Sequence, residues 1–337
     1  MKQALINTLK VAVPLALGVW LVVYFYRALA PEQREQLFEA FRVADMRWLW
    51  LSLILAWLSH VSRAWRWRYL LDHLDHRPGF WPCYHAVMVG YFMNMLLPRA
   101  GEASRAALLY RTDDVPFAQG FGTILAERAV DMVMLLGIAF LTLWLQVDKI
   151  ALFQERIAAF RAGDAPTADP SHWRGLLFAV AVVAVLSVVA LLILKPTLRH
   201  KLQELARGFL DGLRSVLHTR HKLLFVLHTL AIWGLYLLMF RVGFYCLPST
   251  AEVPLAGVLA GFIAGSIGII LVQGGIGAYP AFVALIVTIY MGLPEGGGLI
   301  QPDALAMGWL LWFVQTILLI TLGGVSLLLA ARQRRTA

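Results

Sequence analysis

A chain of 337 residues is long enough for two soluble domains of ordinary size, yet 60% of it is hydrophobic and only 15% charged. Its mean hydropathy is +0.71, and soluble domains carry about 25% charged residues. This balance excludes a soluble enzyme, a secreted disulfide scaffold and a disordered tail, and it predicts an all-α polytopic membrane protein. The net charge of +9, from 29 basic and 20 acidic residues of which 23 are arginine and 6 lysine, then needs a location.

Apolar runs long enough to span a bilayer fall at about 11–29, 48–67, 118–146, 174–194, 222–247 and 304–331. The first begins after Lys2 and Lys10 and ends near Ala28. It is read as an uncleaved span, because it is long and Pro31 would follow any signal-type cut. Two further stretches, 83–112 and 254–292, are interrupted at Leu97 to Gly101 and at Gln273 to Gly277. Proline and glycine there predict turns between half-helices, giving two interrupted, re-entrant hairpins beside six full spans. The prediction is a single integral membrane domain over residues 1–337.

Basic residues mark cytoplasmic loops. With both termini inside, segments 1–10, 63–82, 99–117, 195–222 and 332–337 hold 19 basic and 7 acidic residues. The outer segments 27–47, 147–174, 248–253 and 293–303 hold 8 and 11. The expectation is N-in, C-in, with about +12 inside, −3 outside and zero within the spans. Three spans separate the hairpins, so they enter from opposite faces, and an offset of 175 places Gly90 on Gly265, Leu96 on Leu271, Pro98 on Gln273 and Ala103 on Ala278. An inverted repeat of this kind is a plan common among transporters.

Within the second run Arg63, Arg66 and Arg68 alternate with Trp65, Trp67 and Tyr69. This suits either an interfacial belt with snorkelling arginines or a docking patch for anionic headgroups. His60 and Ser62 sit just inside these residues and could line a pathway. Asp72, His73, Asp75 and His76 invite a metal reading, but His85 is the sole further ligand nearby, so no metal and no cofactor is expected. The first hairpin offers Asn94, then Arg99, Glu102 and Arg105 at a spacing of three, which shares one helical face. That pattern suits an anion site at a helix start or a solvated loop with an intrahelical ion pair. Glu127, Arg128 and Asp131 lie about ten residues into a continuous span, where each charge costs at least about 2.5–3.5 kcal/mol. They must pair, with Arg99 or Arg105 as available partners, or line a wet cavity. The segment 195–222 reads as an amphipathic helix on the cytoplasmic leaflet. In the second hairpin Gln273, Gly274, Gly275, Gly277 and Tyr279 form an uncharged turn expected to be mobile and to line the path. Gly257, Gly261, Gly265 and Gly268 before it suit tight helix packing. No zincin, serine-hydrolase or nucleotide-binding motif is present.

The string Arg63…Arg66-Trp67…Leu70-Leu71, then Gly90-Tyr91-Phe92, Asn94, Leu97-Pro98-Arg99, Gly101-Glu102 and Arg105, then Glu127-Arg128 and Asp131, resembles the transmembrane-region family of lysylphosphatidylglycerol synthases. Gly274-Gly275-Ile276-Gly277 is similar to that family's late glycine-rich turn. The resemblance spans about 10–331 and implies a flippase-like module of the bacterial inner membrane. The sequence read here has no soluble synthase part after the last span, so lysyl-lipid synthesis is not expected and the chain is read as not an enzyme. The resulting expectation is translocation of an anionic phospholipid or lipid-linked headgroup between leaflets, with the arginines capturing phosphate. The other reading is a non-transporting partner that presents lipid to a separately encoded enzyme. Membrane lipids are the expected partners and nucleic acid is not; a homodimer is left open.

Overall fold

The computed structural model describes residues 2–97, 100–146, 216, 219–292, 294 and 300–332. The elements are α1 (Lys2–Ala28), α2 (Pro31–Val43), α3 (Met46–His73), α4 (Phe80–Leu96), α5 (Ala100–Asp113), α6 (Phe117–Trp144), α7 (Lys222–Gly243), α8 (Pro248–Ala251), α9 (Leu255–Leu271), α10 (Ala278–Met291) and α11 (Pro302–Arg332), with short 3-10 turns at Phe244–Cys246 and Gln273–Gly275. No strand occurs among the described residues. The segment expected to span at 174–194 and nearly all of the amphipathic segment 195–222 lie outside them.

Taken singly, two of the described helices are long and apolar enough to cross a bilayer, at Lys222–Cys246 and Pro302–Arg332. Helices α3 and α6 have 28 residues each, about 42 Å at 1.5 Å per residue. Composition alone sets them apart, since they carry the arginines and carboxylates described below. Outside the packed seams the surface is apolar: Phe140, Leu223, Ile270 and Leu328 are each about 70% exposed, which suits contact with lipid rather than water.

Near the N-terminus the structure departs from the expected loop 27–47. A second helix, α2, follows α1 at an angle of 115° between Leu15–Ala28 and Pro31–Val43. Pro31 opens it at a position where a missing N–H is harmless, and the Gln33 side chain accepts the Ala30 N–H at 3.0 Å. Leu37 and Ala40 then bury against the core that α1, α2, α10 and α11 share. The loop 63–82 is also shorter than expected, because α3 continues to His73.

Both hairpins form. Leu97 is extended at φ −134°, ψ 130°, as the residue before a proline prefers, and the helix resumes at Ala100, inside the break expected to run to Gly101. Val272 ends α9 in nearly the same conformation, at φ −120°, ψ 129°. An offset of 175 maps α4 onto α9 end to end, and both have 17 residues. Beyond the turn the offset becomes 178: α5 and α10, of 14 residues each, begin at Ala100 and Ala278. The expected match of Ala103 to Ala278 therefore shifts by three residues, taken up by a turn in which Gly274, Gly275 and Gly277 adopt φ of 65°, 69° and 70°. Residues with a Cβ rarely adopt that conformation.

The same register holds in the packing. A Cβ on Gly90 would press on Gly101 and Arg105, and one on Gly265 on Tyr279 and Val283. At an offset of 178, Tyr279 corresponds to Gly101 and Val283 to Arg105. Helix α11 joins the two hairpins: Gly308 lies against the Pro280 backbone and Gly323 against Met88 and Phe92. The hairpin turns also touch, since Gln273 Nε2 donates to the Met95 carbonyl at 3.0 Å. That carbonyl belongs to the last turn of α4, where helical carbonyls lack intrahelical donors.

Gly101→Ala should therefore lower the melting temperature in detergent, because a Cβ there overlaps the Gly90 carbonyl oxygen and the Asn94 side chain. Overpacking of this kind costs about 1–3 kcal/mol. Gly122→Ala, with open space around its Cβ position, should not lower it. Equal melting of the two variants would contradict this seam.

Candidate functional site

Helices α3, α5 and α6 bring five charged side chains together. Spacing decides which ones: Arg63, Arg66 and Trp67 lie three and four residues apart on one face of α3, and all are buried. Trp65 and Arg68 share the other face, where the Arg68 guanidinium stacks on Trp65 at 4.5 Å and donates to the Pro78 carbonyl at 3.1 Å. Burial leaves the outward, snorkelling placement open to Arg68 but not to Arg63 or Arg66, and the +12 assigned to cytoplasmic loops includes Arg63, Arg66 and Arg105, which the fold buries.

Glu127 and Asp131, one turn apart on α6, meet those arginines. Arg63 Nη1 donates to Asp131 Oδ2 at 2.6 Å, and Arg66 Nη1 donates to Asp131 Oδ1 at 2.9 Å. Arg66 Nε reaches Glu127 Oε1 at 3.4 Å. Arg105 Nη1 stands 2.7 Å from Glu127 Oε2, an ion pair whose alignment falls short of a hydrogen bond. The intrahelical pairing expected between Glu102 and Arg105 does not form. Glu102 instead bridges to Arg128 at 2.7 Å, on the more exposed side of α6. Of the charges expected to gather here, Arg99 lies outside the described residues.

Helix α7 supplies polar neighbours. Thr229 accepts from Arg66 at 3.2 Å, Trp233 Nε1 donates to Asp131 at 3.4 Å, and the Tyr236 hydroxyl accepts from Arg63 at 3.2 Å. Their spacing of four and three makes one stripe on a helix otherwise read as a plain span. Trp67 braces the cluster by donating to Thr123 at 2.9 Å while its ring lies 3.7 Å from the Arg105 guanidinium carbon. The His60 ring packs 4.6 Å from Tyr91, and Ser62 bonds His228 Nδ1 at 2.8 Å.

A cleft opens beside the cluster between α3, α4, α5 and α6, lined among others by Arg63, Tyr91, Asn94, Glu102, Arg105 and Arg128. Asn94 accepts the Gly101 N–H at 2.7 Å, which fixes the wall made by the first hairpin. Free space in the cleft is about 20 Å³, enough for a water molecule and too little for a phosphate group. Arg63 Nε and both Nε and Nη2 of Arg105 are buried without a hydrogen-bond partner. Buried donors are normally paired, and three such donors on two cleft-lining arginines mark a place that could accept an anion.

The second turn lies apart from this cleft. Gly274 offers its carbonyl to Trp312 Nε1 at 2.7 Å, Gly277 packs on Gly18 of α1, and Tyr279 packs on Gly265. Gln273 hydrogen-bonds to the first hairpin, through Met95. Asp72 pairs with Arg77 at 2.9 Å and lies 3.6 Å from His221, while Asp75 pairs with Arg220 at 2.9 Å.

An apolar exterior around a buried, arginine-rich cluster defines a helical membrane protein with a candidate anion site. The chain belongs to the family described as the lysylphosphatidylglycerol synthase transmembrane region, which matches residues 11–324. It is also similar to a UPF0104 membrane protein of Methanocaldococcus jannaschii, 31% identical over 89 residues, which is 26% of each chain. No solved structure matches the chain.

Removing one partner of a buried ion pair costs about 3–5 kcal/mol, whereas exposed pairs contribute about 0–1 kcal/mol. Asp131→Asn, which leaves Arg63 and Arg66 without their shared carboxylate, should lower unfolding stability in detergent far more than Glu102→Gln. Comparable losses would contradict the cluster as a buried network.

Proposed function

We propose that the protein translocates an anionic phospholipid, or a lipid-linked anionic headgroup, between the leaflets of the membrane in which it resides, the bacterial inner membrane. The observation that carries this reading is the set of unpartnered, buried guanidinium donors on Arg63 and Arg105 beside a narrow cleft. Family membership supports a role in lipid handling.

Without a ligand, Glu127 and Asp131 pair with all three arginines but offset only two of their charges. An arriving phosphate takes over part of that duty, and Arg105 exchanges its poorly aligned contact with Glu127 for charge-assisted hydrogen bonds. Each guanidinium then faces an anionic oxygen in both states, and the phosphate offsets the charge that the two carboxylates leave over. The closed cleft requires an opening step, and the half-exposed Glu102–Arg128 bridge at its rim is the interaction that must yield. Matched half-helix lengths, matched cap conformations and the packing of Gly90 and Gly265 support two hairpins of one repeat. In the N-in, C-in arrangement they would enter from opposite faces and rock against α11, exposing the cleft to each leaflet in turn.

The full chain reconstituted in phosphatidylcholine vesicles should bring fluorescent phosphatidylglycerol from the inner leaflet within reach of an external quencher. Arg63→Gln and Arg105→Gln, checked for folding by their melting in detergent, should slow this at least about tenfold, equivalent to about 1.4 kcal/mol in the barrier. Arg105→Lys serves where the glutamine variant fails to fold. Wild-type rates equal to protein-free vesicles for every anionic lipid tried would overturn the proposal in favour of a non-transporting partner of a lipid-modifying enzyme.

A further inference from the structure

The Arg105 guanidinium has two unlike sides. Its Nη1 meets Glu127, while Nε and Nη2, adjacent along the opposite edge, are buried and have no hydrogen-bond partner. That edge is the fork with which arginine binds two oxygens of one oxyanion. Stacking on Trp67 at 3.7 Å fixes the plane of the fork. Arg63, with its own unpartnered Nε, lines the same cleft, so a third donor is available to an oxyanion held on Arg105.

Charge then limits which oxyanion fits. Among the described residues the buried network contains Arg63, Arg66 and Arg105 against Glu127 and Asp131. One positive charge is therefore unmatched. The Glu102–Arg128 bridge at the rim is neutral as a pair and leaves this excess unchanged. In a poorly solvated site an unbalanced charge of either sign is costly. A ligand with one negative charge brings the network to zero, and one with two charges leaves it at −1.

We infer that the site recognises a monoanionic phosphodiester headgroup and discriminates against phosphomonoester dianions. The inference rests on the anionic-lipid reading above and deepens it, by assigning the charge of the headgroup and the two non-bridging oxygens that Arg105 holds. The second hairpin supplies no counterpart, since Val283 occupies the position equivalent to Arg105 and Pro280 that equivalent to Glu102.

The test is titration of the full chain in a neutral detergent at pH 8 with three soluble probes. Dihexanoyl phosphatidylglycerol is a monoanionic phosphodiester. Dihexanoyl phosphatidate is largely a dianion there, because the second ionisation of a phosphomonoester lies near pH 6. Hexanoate is a monoanion without phosphorus. Phosphatidylglycerol should bind at least about tenfold more tightly than either of the others. Glu127→Gln raises the excess to two charges and should narrow or reverse the preference over phosphatidate; Asp131→Asn makes the same change where Glu127→Gln does not fold. A structural role alone would weaken both lipids equally. Equal or tighter binding of phosphatidate to the wild type, or equal binding of hexanoate, would overturn the inference. If the wild type still moves anionic lipids in vesicles, the translocation proposal survives that result; a chain that neither binds nor moves any of them overturns both.

Discussion

A guanidinium enclosed among membrane helices keeps its charge, so it must face a carboxylate, a phosphate or water. Much of the architecture around α3 and α6 follows from that constraint. Arg63 and Arg66 share Asp131, while Arg66 and Arg105 share Glu127, so two carboxylates on one helix draw in α3 and α5 together. Thr229, Trp233 and Tyr236 add hydrogen bonds from α7. The network still leaves donors over, and it carries more positive than negative charge. A purely structural ion cluster gains from neutrality and complete satisfaction. Of the four leftover guanidinium donors, three are on Arg63 and Arg105, which line the cleft, and the fourth is Arg66 Nη2, deeper in the network.

The frame that holds the cluster is built from close backbone approaches. Glycines at 90 and 101 let α4 and α5 touch, and Gly323 lets α11 lie on α4. At the second hairpin Gly265 serves the first end and Gly308 of α11 the second, with Tyr279 at the position equivalent to Gly101. The two hairpins therefore share a backbone plan and differ in chemistry. One carries arginine and glutamate at the cleft; the other carries proline and valine at the equivalent positions and a longer glycine turn. Gln273 joins them at their tips, so displacement of one turn is felt by the last carbonyls of α4.

Much of this was legible in the sequence. The hairpin breaks follow from Pro98 and from the glycines at 274, 275 and 277, whose positive φ values require that residue type. Glu127 and Asp131 stood out because ionised groups within an apolar run are too costly to be incidental. The arginines opposite them were harder to place. At the end of a long apolar run, Arg63 and Arg66 look the same whether they snorkel outward or turn inward, and only the spacings of three and four that put Arg66 and Trp67 on the face of Arg63 separate the cases. The α7 stripe escaped notice because threonine and aromatic residues in an apolar helix ordinarily signal packing. Helix α2 has the composition of a loop, its polar residues outweighing its apolar ones, although Pro31 and Gln33 carry the start signal. The net charge of +9 looked like a matter of sidedness, whereas three of its arginines belong to the buried network.

The central claim is that phosphate and Glu127 compete for Arg105. A cryo-electron microscopy map of the full chain, enlarged by a bound antibody fragment and saturated with dihexanoyl phosphatidylglycerol, would test it most directly. The account predicts phosphate density within about 3 Å of Arg105 Nε and Nη2, the distance of a charge-assisted hydrogen bond, with the cleft widened and the Glu127 carboxylate withdrawn from Arg105. A map in which lipid phosphate binds elsewhere, while Arg105 and Glu127 remain paired and the cleft stays closed, would contradict it.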